Sequence, residues 1–116
     1  MGEREVRDAL LKTLRDDKAD DFVRSRAAAA LSGAVGEREV RDALLKTLLD
    51  DKAGYFACSS AAAALSGAVG EREVRDAFLK TLLDDKAGPY ARSRAAAALA
   101  GATRALRLAQ PKPVAV

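Results

Sequence analysis

The sequence predicts an all-α protein: an α-solenoid of three 34-residue helical hairpins followed by a short C-terminal helical extension. The segment AAAALSGAVGEREVRDA at residues 27–43 returns unchanged at 61–77, and neighbouring repeats are identical at most of their positions. A fixed period of this length is typical of stacked arrays, in which each unit buries its apolar face only against a neighbour. We therefore expect one domain, residues 1–116, made of repeat 1 (2–35), repeat 2 (36–69), repeat 3 (70–103) and the extension 104–116.

Each repeat opens with a predicted helix. In repeat 1 it is EREVRDALLKTL, residues 3–14, where Val6, Leu10 and Leu14 recur at every fourth residue. This spacing places the three side chains on one apolar stripe of a helix. Glu3 and Arg7 are one helical turn apart, so we expect an ion pair on the exposed face.

The second predicted helix of each repeat is rich in alanine, the strongest helix former. In repeat 1 it starts near Asp21 and runs through VRSRAAAAL to about Gly33, after a polar connector. In repeat 3, Pro89 suits the first turn of a helix. We expect this last helix to continue to Gln110, because Pro111 would stop it.

Composition restricts the classes of partner. The net charge is +3, each repeat is close to neutral, and the excess lies in residues 104–116. Since nucleic-acid affinity depends on a concentration of Lys and Arg, nucleic acid is not the expected partner. No apolar run is long enough for a membrane span, and the start MGEREVRD is too charged for a signal peptide. We expect a cytoplasmic protein without membrane contact.

The sequence contains no motif of catalysis or metal binding. It has no histidine, which removes the commonest general base and metal ligand. The DDK of the connectors lacks the alternating oxygen ligands and the glycine of a calcium loop. The SGAVG turn lacks the Lys-Ser or Lys-Thr that follows a phosphate loop. We therefore expect no enzymatic activity, no cofactor and no metal.

The order of the pieces GEREVRDALLKTL, DDKA, an aromatic residue and VRSRAAAAL resembles the HEAT-like repeats, particularly the short bacterial PBS-lyase HEAT-like type. The resemblance covers residues 2 to about 103. Repeats of about 34 residues are also typical of tetratricopeptide proteins, but the Trp, Gly, Tyr and Pro of that family are missing at their set places. The HEAT-like resemblance implies a ladder of connector Asp and second-helix Arg between repeats, at Asp17, Asp51, Asp85, Arg24 and Arg92. Cys58 replaces the arginine in repeat 2, so a continuous ladder is not expected.

Differences between repeats 1 and 2 cluster around the start of the second helix, which lines the concave face of a solenoid. A ligand surface and neutral drift at tolerant positions both explain this clustering. The aromatic residues at one equivalent position, Phe22, Phe56 and Tyr90, are interpreted as plugs at the base of each helix pair. The alternative is a recognition patch that also includes Tyr55. The candidate partner-binding residues are Phe22, Arg24, Arg26, Tyr55, Phe56, Cys58, Ser60, Tyr90, Arg92 and Arg94.

Cys58 is the single cysteine of the chain. Its repeat lacks the two arginines of the other repeats, so no obvious cation lowers the pKa of the thiol. An unreactive thiol is the preferred interpretation, and a redox switch or an intermolecular crosslink is the alternative.

The first helix of repeat 1 keeps the apolar stripe of the internal repeats, although terminal repeats normally have a polar outer face. This pattern predicts a stacking end face that binds another copy of the repeat, in a homo-oligomer or with a complementary repeat fragment. The candidate end-face residues are Val6, Leu10, Leu11 and Leu14.

The resulting functional hypothesis is a non-enzymatic protein–protein interaction and self-assembly module. The resemblance implies that it is a segment of a longer array in a larger bacterial signalling or defence protein. Alternatives are a bilin lyase accessory subunit, implied only by the family name, a HEAT-like DNA-binding protein, and a designed consensus repeat.

Overall fold

The structure, a computed structural model, describes residues 2–50 and 52–109, with side chains described up to residue 100. The described chain is all-α, as predicted. Its helices are α1 (Glu3–Arg15), α2 (Asp21–Ala30), α3 (Arg38–Leu49), α4 (Tyr55–Leu65), α5 (Arg72–Leu83) and α6 (Pro89–Ala109). None of the described helices is both long enough and apolar enough to cross a membrane.

Helices that follow one another in the chain pack in pairs, and each pair contacts the next. Helix α1 packs on α2, α3 on α4, and α5 on α6. Across the repeats, α2 packs on α4 and α4 on α6, while α1 packs on α3 and α3 on α5. The helices of each repeat therefore cover one side of the neighbouring repeat's core.

The core consists mainly of leucine and alanine. Leu14, Leu44 and Leu65 are completely buried, as are Ala28 and Ala61 on the second helices. The small alanine side chains allow the axes of packed helices to approach closely. The core thus runs continuously through all three repeats instead of closing within one of them.

The connectors after the first helices are polar turns. In each one, an aspartate carboxylate accepts a hydrogen bond from the backbone N–H two residues later: Asp16 from Lys18 at 3.0 Å, Asp50 from Lys52 at 2.9 Å, and Asp84 from Lys86 at 3.0 Å. This is the ordinary local bond by which aspartate stabilises a turn. The DDK sequence therefore has a structural explanation.

The second helices of repeats 1 and 2 end earlier than a continuous α-helix would. Helix α2 ends at Ala30 and a 3-10 turn follows over Leu31–Ala34; α4 is followed by a 3-10 turn over Ser66–Ala68. Serine and glycine at these positions are weaker helix formers than alanine. In repeat 3, Ala100 replaces Ser66 and α6 continues to Ala109. The predicted extension of the last helix is confirmed to that residue; the predicted end at Gln110 lies outside the described residues.

Candidate interaction surfaces

Helix α1 exposes a face that the identical sequence in α3 buries. Val6 is 45% exposed, whereas Val40 at the same position of repeat 2 is 0% exposed. Leu10 is partly buried and Leu44 completely buried. Helix α3 has α1 beside it, and this contact explains the difference. We define the head face of the chain by its residues Val6, Ala9, Leu10 and Thr13.

The predicted end face is wrong for two of its four residues. Leu11 and Leu14 are 1% and 0% exposed and belong to the core. They lie on the side of α1 that faces the rest of the chain, whereas Val6 and Leu10 lie on the other side. The stripe inferred from the sequence was correct as an apolar pattern, but it covers two faces of one helix.

The other end of the stack exposes a different set of leucines. Leu11 is buried, its equivalent Leu45 in repeat 2 is only partly buried, and Leu79 in repeat 3 is 45% exposed. Leu83, at the end of α5, is 78% exposed. We define the tail face by Arg75, Leu79 and Leu83.

Ion pairs join the first helices across the repeats. Arg7 contacts the carboxylates of Glu37 and Glu39. Arg41 contacts Glu73 at 3.2 Å between its Nε and a carboxylate oxygen. The predicted pair between Glu3 and Arg7 is wrong, because the Arg7 side chain reaches repeat 2. Hydrogen bonds to Glu37, and secondarily to Asp8, raise the pKa of the Arg7 guanidinium above its ordinary value.

The start of α4 is capped by a residue of repeat 1. The Asp21 carboxylate accepts hydrogen bonds from the backbone N–H groups of Phe56, at 3.0 Å, and Ala57, at 2.9 Å. These are N–H groups that a helix cannot satisfy by itself. A side chain at Gly54 would exclude this contact, since its Cβ would lie 2.3 Å from Asp21 Cγ.

The three second helices therefore start in three ways. Asp20 caps its own helix α2, accepting from the N–H of Phe22 at 2.8 Å. Helix α4 takes its cap from Asp21 in repeat 1. Helix α6 starts with Pro89, and Tyr55 occupies the position of repeat 2 that corresponds to Asp21. Two of the sequence differences between repeats 1 and 2 are thus explained by helix capping.

Arg24 is a structural residue and not part of an open partner-binding face. It is 7% exposed, and its Nε donates to the Leu14 carbonyl at 3.0 Å, at the end of α1. Arg92 makes the same bond to the Leu82 carbonyl. The ladder to Asp17 and Asp85 that the family resemblance implied is not formed among the described residues, since these arginines bond within their own repeats; Asp51 lies outside them.

Position 26 of repeat 1 and its equivalents differ in their surroundings. Arg26 and Arg94 are exposed. Ser60 is partly buried, and its hydroxyl is 2.6 Å from that of Ser25 in repeat 1. Ser60 therefore contributes to the contact between repeats.

The four aromatic residues form one exposed row along the starts of α2, α4 and α6. The Phe22 and Phe56 rings stack with centroids 4.5 Å apart, and the Tyr55 ring lies edge-on to Phe56, at 5.3 Å, and to Tyr90, at 4.8 Å. Their exposed fractions run from 43% for Phe56 to 66% for Tyr90. The interpretation of Phe22, Phe56 and Tyr90 as plugs is wrong, because these rings lie on the surface and contact aromatic rings of the neighbouring repeat.

Cys58 lies in a cleft of about 680 Å³ between repeats 2 and 3, which Tyr55 and Tyr90 also line. Its thiol lies 3.6 Å from the Leu48 carbonyl, the group that corresponds to the acceptor of Arg24. Burial, and then the carboxylates of Asp21 and Asp50, raise the pKa of the thiol above its ordinary value. A thiol in this setting is less nucleophilic at neutral pH.

Comparisons with protein-family models, curated proteins and solved structures give no significant match. No group of three or more metal-ligating side chains occurs among the described residues. The HEAT-like resemblance therefore depends on the repeat pattern of this chain alone.

Three residues of these surfaces were missed from the sequence. Asp21 and Gly54 function as a pair, and the sequence differences at positions 20/54 and 21/55 were the available indication. Unlike Arg7 and Arg41, Arg75 has no first helix of a following repeat beside it among the described helices. Its significance emerges once the cross-repeat ion pairs are known.

Proposed function

We propose that this chain is a short HEAT-like α-solenoid that acts as a non-enzymatic protein–protein interaction and self-assembly module. Its primary partner is another copy of the same repeat, in a homo-oligomer. The resemblance places such repeats in longer arrays of cytoplasmic bacterial signalling or defence proteins, where the same faces would contact further repeats.

The proposal depends on the difference in exposure between Val6 and Val40. Burying a valine side chain contributes about 1.5–3 kcal/mol relative to leaving it exposed. Val40 gains this free energy because the chain itself buries it, whereas Val6 stays exposed and does not gain it. Helix α1 therefore keeps an apolar surface whose complement the chain already contains.

The packing of neighbouring repeats supports the solenoid interpretation. Contacts join first helix to first helix and second helix to second helix in the order of the chain. Such arrays are approximately one-dimensional, because each unit contacts only its neighbours. A further unit can therefore be added without rearranging those already present.

Mass measurement by light scattering over a range of concentrations tests the proposal. We expect the mass to rise with concentration, and Val6→Asp to hold the chain at the monomer mass, because a buried unpaired carboxylate is costly. A wild-type chain that stays monomeric at the highest concentration would overturn the proposal.

Leu49→Asp is the matched control. Leu49 is 47% exposed, close to the 45% of Val6, but it lies in the middle repeat and stays exposed although repeats flank it on both sides. It should leave the association unchanged. Equal losses of association in both variants would point to general surface apolarity and not to the head face.

A further inference from the structure

We infer that two molecules associate head to tail, with Arg75 of one molecule paired to Glu3 and Glu5 of the next, and with Leu79 packed on Val6 and Leu10. This inference rests on the proposed self-assembly and specifies its register. It is derived from the two cross-repeat interfaces inside the chain.

The two internal interfaces pair equivalent positions. Arg7 of repeat 1 pairs with Glu37 and Glu39 of repeat 2. Arg41 of repeat 2 pairs with Glu73 of repeat 3, which corresponds to Glu39. In repeat 3 the equivalent arginine is Arg75, and the positions that would hold its glutamates, 105 and 107, are alanine and arginine.

The complementary charges lie at opposite ends of the stack. Arg75 makes no ion pair among the described residues, and neither do Glu3 and Glu5. Glu3 and Glu5 hold the positions of repeat 1 that Glu37 and Glu39 hold in repeat 2. A second molecule placed where a fourth repeat would follow therefore brings these two carboxylates to Arg75.

The apolar parts of the two faces match in the same register. Inside the chain, Leu11 is buried at the side of α1 that meets repeat 2, and Val40 and Leu44 are buried at the opposite side of that contact. Leu79 corresponds to Leu11, and Val6 and Leu10 correspond to Val40 and Leu44. The exposed leucine of the tail face thus meets the exposed residues of the head face.

The geometry is heterologous, since the head face differs from the tail face. Every added molecule leaves one head and one tail face free, so association continues beyond a dimer. An assembly of head faces with each other would instead stop at two molecules and would place Glu3 and Glu5 against like charges.

Charge reversal in sedimentation equilibrium tests this register. Arg75→Glu and Glu5→Arg should each weaken self-association about tenfold, since each reversal replaces attraction by repulsion. Mixing the two variants should restore association between the reversed faces, because a reversed head face then meets a reversed tail face of opposite charge. Lys80→Glu changes the net charge as Arg75→Glu does, on the same helix, and should leave association unchanged, because Lys80 lies on the side of α5 that faces repeat 2.

The outcomes separate the register from the proposed function. A wild-type chain that associates, with Lys80→Glu as damaging as Arg75→Glu or with no recovery on mixing, overturns the register alone. Association that ends at a dimer also overturns it. A wild-type chain that never associates overturns the proposed function as well. Circular dichroism of each variant verifies that its helical content is that of the wild type.

Discussion

Helices α1 and α3 share the sequence REVRDALLKTL, yet one of them exposes a face that the other buries. Local sequence is therefore not what determines the burial of Val6 and Val40. The neighbouring repeat determines it, since among the described helices α3 has a first helix on both sides and α1 on one side only. The two identical segments thus show how much a neighbouring repeat contributes to the burial of the apolar face of a first helix.

The largest expected effect comes from truncating the same leucine in the two helices. Leu44→Ala should lower the free energy of unfolding by about 2–5 kcal/mol, because Leu44 is completely buried. Leu10→Ala should cost less than about 1 kcal/mol in the dilute protein, because its site is partly open already. Urea unfolding at low concentration measures both. Equal losses of unfolding free energy would show that the head face of α1 is covered in the isolated chain. They would contradict the difference between Leu10 and Leu44.

The second helices of repeats 1 and 2 differ in the residue that caps their first turn. Asp21→Ala should cost about 1 kcal/mol, since it removes the carboxylate that caps α4 from the neighbouring repeat. Gly54→Asp should restore stability in that variant, because the aspartate can then cap its own helix as Asp20 does in repeat 1.

The same Gly54→Asp substitution should bring no such gain in the wild-type chain, because the new Cβ would displace the Asp21 carboxylate and one cap would only replace the other. Thermal unfolding of the two single variants and the double variant gives the coupling between the sites. Additive effects would contradict a cap shared between repeats.

A smaller effect is expected from the aromatic row. Phe22 and Phe56 stack across repeats 1 and 2, and an offset-stacked pair contributes about 0.5–1.5 kcal/mol beyond the area it buries. A double-mutant cycle with Phe22→Leu and Phe56→Leu should show a coupling in the lower part of this range, because both rings are largely exposed. A coupling of zero would leave the row without a role in joining the repeats.

The smallest effect concerns Cys58, which replaces the arginine of repeat 1. Since the folded chain raises the pKa of the thiol, its contribution to stability is present below the ordinary pKa of 9.0 and is lost as the pH rises through the folded value. Cys58→Ser should remove this loss of stability at alkaline pH. Unfolding midpoints of the wild type and the serine variant, compared from about pH 8 to about pH 10.5, measure it. A midpoint difference that is constant over this range would contradict the assigned direction.

The helices could be predicted from the sequence because the determinants of helix formation are local. The spacing of Val6, Leu10 and Leu14, the alanine runs and Pro89 each indicated a helix that the structure contains. The repeat period predicted that neighbours would cover one another, although not which side of α1 would stay open. The sequence therefore could not separate Leu10 from Leu11, which are adjacent in the chain but face different neighbours.

The surfaces were harder to predict because they depend on contacts between repeats. Arg24 resembles a ligand-binding arginine in the sequence, and only its bond to the Leu14 carbonyl reveals a structural role. The aromatic residues at one equivalent position, Phe22, Phe56 and Tyr90, were interpreted as plugs at the base of each helix pair. Their positions at the helix starts place them at the rim of the stack instead.

Amide hydrogen exchange followed by NMR tests the central claim most directly, because α1 and α3 have the same sequence and hence closely similar intrinsic exchange rates. We expect exchange in α1 to slow as the protein concentration rises, toward the protection of α3, since a second molecule then covers the head face. Exchange in α1 that is independent of concentration, in a chain whose mass increases, would show that the molecules associate through another surface.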